Sequence, residues 1–339
     1  MRYIQSFSSS GATQAALNEY ELGKPYVAYL QDEYRIDWNS LHKATLEETP
    51  LTFEVLSAGT IMWAQNYWQG TGTTIEYSKN GGAWTSINSA DFVDIPVEAG
   101  DKVQFRGDNP TYSITAITGQ GVTTWINNGW FQGTYTPFKV YGNIMSLINS
   151  TGFSACTTLE SAYTFAHLFE DTYVVDADQL ILPATTLTNN CYYKMFKDCV
   201  RLEDALDYGL PASTAASECY YSMFEGCTNL NAGPSMYNLR TLAYGCCAYM
   251  YCGCTSMYGL NDFLRPLTLV ERCYNHMFYG CSSMDGLTCL ATDISATECT
   301  NQWVEGVAAS GYFYKNPNMS SWTTGVSGIP SGWEVFNEV

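Results

Sequence analysis

From about Pro50 to Tyr141, apolar and polar residues alternate in short runs, and that alternation predicts strands. LTFEVLSAGTIMW (51–63), TTIEYSKNGGAWTSI (73–87), FVDIPVEAGDKVQFRG (92–107) and TPFKVYGNI (136–144) read as strands parted by turn signals. Lys79-Asn80-Gly81-Gly82 sits between two alternating runs, and Asn-Gly supplies the positive φ angles of a tight hairpin turn. Ala99-Gly100-Asp101 marks a second turn. Short strands at this spacing predict a β-sandwich over 46–142. Upstream, SGATQAALNEYEL (10–22) fits a helix that Ser10 can cap, and KPYVAYLQDEYRIDW (24–38) alternates as a strand or hairpin does. Residues 1–45 are too few to bury much surface alone, so they are expected to fold against partner chains.

Beyond the strands the pattern changes from alternation to repetition. CYYKMFKDC (191–199), CYYSMFEGC (219–227), CCAYMYCGC (246–254) and CYNHMFYGC (273–281) open 28, 27 and 27 residues apart. Degenerate copies lie at 164–172 and 299–307. A period in the twenties marks a solenoid, whose coils bury their apolar sides only by stacking. Tyr192, Met195 and Phe196 are three or four apart, which predicts one or two turns of helix for each nonamer. The stretch from Leu202 to Leu210 predicts a short strand, ended by Pro211. Coils about 4.8 Å apart would make a rod of roughly 30 Å. The expected fold is therefore mainly β with short helices: an N-terminal segment (1–45), a sandwich (46–142), and a solenoid of about 27-residue coils with a C-terminal cap (143–339). Phe313, Tyr314, Trp322, Ile329 and Trp333 are the expected cap.

The MFxGC blocks around Met223 and Met277, the LPA steps at Leu182 and Leu210, and the tail FYKNPNMSSWTTGVSGIPSGW (313–333) resemble the BspA-like (Treponema-type) leucine-rich repeat. The form is the one common in gut Bacteroidales and their phages. The copy at 246–254 departs from the pattern, with Tyr251 for Phe and an added Cys252. The resemblance extends from about Pro50 to the end and implies the fold strongly, an activity weakly. The opening segment resembles N-terminal segments of structural proteins in crAss-like phages, which implies an assembly anchor.

Charge narrows the partners. A net charge of −18 repels phosphate backbones and anionic headgroups, so neither nucleic acid nor a membrane surface is expected as a partner. No apolar run approaches the roughly 18 residues of a membrane span, so no membrane insertion is expected. MRYIQSFSSSGATQ has no apolar core of a secretory signal, so a cytoplasmic, reducing site of assembly is expected.

Thirteen cysteines raise the question of disulfides or zinc. Cys191, Cys199, Cys219, Cys227, Cys246, Cys254, Cys273 and Cys281 recur at fixed places, and stacking would align them in a ladder of small buried thiols. Disulfides and metal remain the alternatives, but neither the cluster at Cys246, Cys247, Cys252 and Cys254 nor Cys273 with His276 resembles paired CxxC knuckles. No metal or cofactor is expected. His42, His167 and His276 are scattered, and neither a P-loop nor GxGxxG occurs, so no catalytic residues are assigned and the chain is read as a non-enzyme.

Binding offers two candidate surfaces. On the strand face of the repeats, Asp204, Asp207, Tyr208, Tyr237, Asn261 and Asp262 are expected to project in register. In the sandwich, Trp63, Tyr67, Trp68, Trp125 and Trp130 lie near amides that can bond sugar hydroxyls while the rings stack. The alternative for these rings is core or an oligomer interface. Taken with the resemblance, the expectation is a virion fibre or adhesin of a Bacteroides-infecting phage, on the head or tail. It would be assembled in the host cytoplasm, anchored to other virion proteins by its first segment, and would bind bacterial surface glycans or proteins. The resemblance further implies a homotrimer. The alternative is a bacterial BspA-like surface or secreted adhesin; a glycan-degrading enzyme is the third class.

Overall fold

The computed structural model describes residues 38–64, 74–87, 92–110, 112, 114–119, 122–127, 129–131, 133–260 and 262–338. The chain is mainly β, with very few helical residues. The anticipated helix at 10–22 lies outside the described residues, as do residues 24–37 of the strand or hairpin expected over 24–38, whose last residue, Trp38, instead opens a helix. A helix that the sequence reading missed, α1 (Trp38–Glu47), crosses the expected boundary at residue 45. Thr49 closes it, its amide and hydroxyl bonding the carbonyls of Leu46 and Thr45, and Pro50 follows, which disfavours a helical conformation at Thr49. Leu46 is buried, and Asn143 Nδ2 donates to the Glu47 carbonyl at 3.0 Å. No helix among the described residues is long and apolar enough to cross a membrane.

Among the described residues nine strands follow: β1 (Leu51–Val55), β2 (Gly59–Ala64), β3 (Ile75–Lys79), β4 (Thr85–Ile87), β5 (Phe92–Val97), β6 (Lys102–Gly107), β7 (Ile114–Gly119), β8 (Val122–Asn127) and β9 (Phe138–Asn143). β9, β1, β6, β3 and β4 pair antiparallel in that order, while β2 pairs with β5 and β7 with β8. The expected turn at Asn80-Gly81 forms with φ of 54° and 70°, both positive as a type I′ hairpin needs. The β7–β8 hairpin was not anticipated, although ITAIT and VTTWI alternate. Phe53 stacks on Phe138 at 4.4 Å and packs against Phe105 and Phe131, while Trp63 of β2 meets Phe131 edge-on.

β9 joins this region to the repeats. It pairs in parallel with β10 (Val174–Ala177) and β11 (Leu180–Ile181), and β10 pairs with β12 (Asp204–Ala205), so one eight-stranded sheet runs through the junction. Gly142 lets β9 lie close against the link between α1 and β1: φ is +87°, and a Cβ there would lie 2.4 Å from the Pro50 carbonyl. Phe131 and Phe169 stack across the junction at 5.7 Å, and the Phe131 amide donates to Leu168. Short strands β13 (Ala232–Gly233) and β14 (Gly259–Leu260) continue the strand side. β15 (Gly286–Cys289), β16 (Tyr312–Lys315) and β17 (Glu334–Asn337) end it as a parallel sheet.

The nonamers are not helices. Beyond its first turn an α-helix bonds each amide to the carbonyl four residues back, whereas here alternate amides leave the segment along its whole length. Asn190, Tyr192, Lys194, Phe196 and Asp198 donate to carbonyls of residues 217, 219, 221, 223 and 225 in the next repeat. The intervening amides bond three residues back, as in Met195 to Tyr192 and Cys199 to Phe196. The same five-bond pattern recurs from 218–226, 245–253 and 272–280. Every fourth residue is left-handed: Asn190, Lys194 and Asp198, then Glu218, Ser222 and Gly226, and so onward. Glycine takes the last of these places at Gly226, Gly253, Gly280 and Gly306, with φ between 75° and 81°. Helix-like spacing of the apolar residues hid this arrangement. The glycine column was the sequence signal for it.

Like residues stack on like. Phe196 and Phe224 lie 5.3 Å apart and nearly parallel, followed by Tyr251 and Phe278 at 5.7 Å steps. Tyr192 and Tyr220 stack at 5.9 Å. At the C-terminal end Trp322 stacks on Trp303 at 5.6 Å, Phe313 meets both edge-on, and Ile329 and Trp333 are buried. Tyr314 does not belong to this cap: it is exposed on the other face of β16, against Phe336.

Candidate functional site

The repeat columns fix which cysteines meet which atoms. Cys191, Cys219, Cys246 and Cys273 are fully buried at the opening of each nonamer. Cys199, Cys227, Cys254 and Cys281 close it, each thiol donating to an aromatic residue's carbonyl one repeat earlier at 3.0–3.1 Å. Burial pushes the Cys191 thiol up to about 12 and Cys252 to about 11, so these sulfurs stay protonated and poorly nucleophilic at neutral pH. All thirteen cysteines are free thiols in the structure, and no His/Cys/Asp/Glu group suited to a metal occurs among the described residues.

The aromatic surface expected in the N-terminal region is only partly described. Trp63 is fully buried against Phe131 and forms core, which removes it as a sugar platform. The alternation of β2 dictates this, because Ile61 and Trp63 face inward together. Trp130 is half-buried and bridges to Ala64. Trp125 lies in β8, but its side chain is outside the described residues, as are Tyr67, Trp68 and, in the repeats, Asn261.

On the strand side, the register of β10 and β12 sets Asp176 beside Asp204 while Ala177 and Ala205 point inward. Lys139 pairs with Asp176 at 3.0 Å, and Asn231 donates to Asp204 at 3.4 Å. The carboxyl of Asp178 is held up near 7, first by burial and then by the carboxylates of Asp176 and Asp207. Asp207 is raised too, by burial and the charges of Asp204 and Asp176. Tyr208 lies under Lys43 of α1, with the ammonium 5.8 Å from the ring centre. The cluster is mainly anionic, its carboxylates repelling one another, with Lys139 paired to Asp176 as the cation within it.

Tyr237 and Asp262, one repeat apart, come together elsewhere. After β13, Met236, Leu239 and Leu242 turn inward, so Tyr237, Arg240 and Thr241 face out. After β14, Leu264, Pro266 and Leu269 are buried, so Arg265, Leu267 and Thr268 lie on the outer side. Ser235 Oγ accepts from the Tyr237 amide and donates to Asp262 Oδ2, both at 3.2 Å. Asp262 Oδ1 in turn takes the Phe263 amide at 2.7 Å and Arg265 Nη2 at 3.1 Å. The Arg265 guanidinium lies 4.3 Å from the centre of the Tyr237 ring, and that of Arg240 lies 5.5 Å from it. Arg240 donates to the carbonyls of Tyr237 and Leu239. Among the described residues no carboxylate pairs with it. Beside them opens a cleft of about 350 Å³ lined by both arginines, Thr241, Thr268 and the apolar Leu242, Leu267 and Val270.

Sequence reading named Tyr237 and Asp262 but passed over Arg240 and Arg265. The available signal was their 25-residue separation, close to one repeat, in a chain with only 15 basic residues. His167 contacts Glu170 and Tyr193, and His276 stacks on Tyr249 at 4.7 Å, so neither is near the cleft residues in this network. Comparison with protein-family models, curated proteins and solved structures finds no match for the chain.

Proposed function

We propose that the chain is a non-enzymatic adhesive protein of a phage virion, a fibre in which a BspA-like leucine-rich-repeat solenoid, capped by a β-sandwich, meets the bacterial surface. Residues 1–45 join it to other virion proteins, and trimers form through that segment. One observation carries the reading: five backbone bonds join successive nonamers at each step, fixing side chains in columns on a rigid, extended face. Such faces engage large partners by many shallow contacts, rather than enclosing one reacting atom.

The test compares the full chain with a version lacking residues 1–37, which retains α1. An oligomer that becomes a folded monomer on truncation, with cell binding by the truncated chain weakened through lost multivalency, supports the fibre. A monomer in both favours a single-chain bacterial surface adhesin. Failure of either form to bind any Bacteroidales cell surface rejects adhesion itself.

A further inference from the structure

We infer that the cleft beside Tyr237 binds an acidic saccharide, a sugar carrying a carboxylate or sulfate, with Arg240 as the main anion contact. This rests on the adhesive reading above and adds the ligand class. The chain's net charge is −18, yet Arg240 is exposed with no carboxylate partner among the described residues and, unlike exposed Arg201, which lies over Tyr173, it lines a cleft beside a second arginine. Arg265 stands beside it, half-neutralised by Asp262, with its Nε buried and unpartnered among the described residues. Guanidinium groups hold planar anions through paired N–H donors, which an ammonium does less well.

The rest of the cleft matches a sugar better than a peptide. Its volume, about 350 Å³, is at the lower end for small-ligand sites. Leu242, Leu267 and Val270 offer apolar surface for the C–H face of a pyranose, Thr241 and Thr268 offer hydroxyls for its polar rim, and the Tyr237 ring, outside the lining, holds the two guanidiniums beside it. A peptide that added as a strand would need an unpaired backbone edge. Here that backbone is spent between repeats: the amides of Arg240 and Thr241 both bond Ser213, Leu264 bonds Thr288, and Leu269 bonds Asp293. Short ligands are favoured over long polyanions, which the net charge repels.

Calorimetry on the full chain with trigalacturonate, sulfated maltotriose, neutral maltotriose and triglutamate tests this. Binding of one or both acidic sugars, with neutral maltotriose and triglutamate at least tenfold weaker, is expected; which acidic sugar binds tells carboxylate from sulfate. Arg240→Gln should weaken that binding tenfold or more while lowering the melting temperature by no more than a few degrees, because Arg240 is exposed and its own hydrogen bonds are only to the neighbouring Tyr237 and Leu239 carbonyls. Tyr237→Ala should weaken it as well, and Lys43→Gln on α1 should not. Equal binding by wild type and Arg240→Gln, equal binding of triglutamate, or no binding of either sugar overturns the inference. Sugar binding without cell adhesion would instead reject the fibre and leave the cleft's assignment standing, whereas adhesion without sugar binding would do the reverse.

Discussion

The two halves of the molecule solve the same problem, burying aromatic rings, in opposite ways. In the N-terminal β region each ring has a different surrounding: Phe53 touches Phe105, Phe131, Phe138 and Phe169 at four separate angles. Among the repeats each ring meets a near-copy of itself above and below, as Phe224 does between Phe196 and Tyr251. The first is a three-dimensional fit, in which a loss is felt in all directions. The second is a column, in which a loss is passed mainly along one axis. Equal chemistry should therefore give unequal reach.

The largest effect sharpens this contrast. Phe53→Ala should cost about 3–5 kcal/mol in denaturant unfolding, and amide exchange should quicken from β1 through β6 and β9 to Leu168 across the junction. Phe224→Ala should cost about 3 kcal/mol, with faster exchange centred on residues 191–281 and unchanged protection in β1. Equal spread of exchange in both variants would abolish the distinction.

A smaller effect has the opposite sign. The hydroxyls of Tyr192, Tyr251 and Tyr274 are buried with no partner among the described residues. Tyr192→Phe keeps the stacked ring and removes an unsatisfied polar atom, so it should stabilise by about 1 kcal/mol. A loss in thermal melts would mean that the hydroxyl is hydrogen-bonded after all.

The weakest effect lies at the junction. The Asp178 carboxyl titrates near 7 in the folded chain, against an ordinary value of 3.8. Its folded value is raised, so the stability it contributes is full below pH 4 and is lost as pH rises through 7. Asp176, Asp204, Asp207 and Lys139 are the charges around it. Melting temperature should fall slightly between pH 5 and pH 8, and Asp178→Asn should flatten that slope. A slope unchanged in the variant would assign it to another group.

How legible each half was follows from the same contrast. Hairpin chemistry at Asn80-Gly81 and the period of the nonamers could be read directly, because one rests on φ preferences and the other on recurrence. The backbone of the nonamer could not, since Tyr192, Met195 and Phe196 suit a helix as well as a column; only bonds to a segment about 27 residues away distinguish the two. The cleft was half legible. Tyr237 and Asp262 were evident as polar projections, but Arg240 and Arg265 gain meaning only when two irregular links are stacked. Trp63 was misjudged because richness in aromatics says nothing about which face of a strand they occupy.

The alternate amides of the nonamers have one more physical consequence. Each of these nonamer N–H groups points toward the C-terminal end, and each nonamer carbonyl that receives one points back. Each peptide unit carries a dipole of about 3.5 D, and where units align head to tail their fields add. In a β-sheet they alternate and largely cancel. The stacked nonamers are thus electrically polar along their stacking direction, with the positive pole beyond Gln302, where Ser327 and Val326 accept the last amides. An α-helix has its positive pole at the opposite end of the chain.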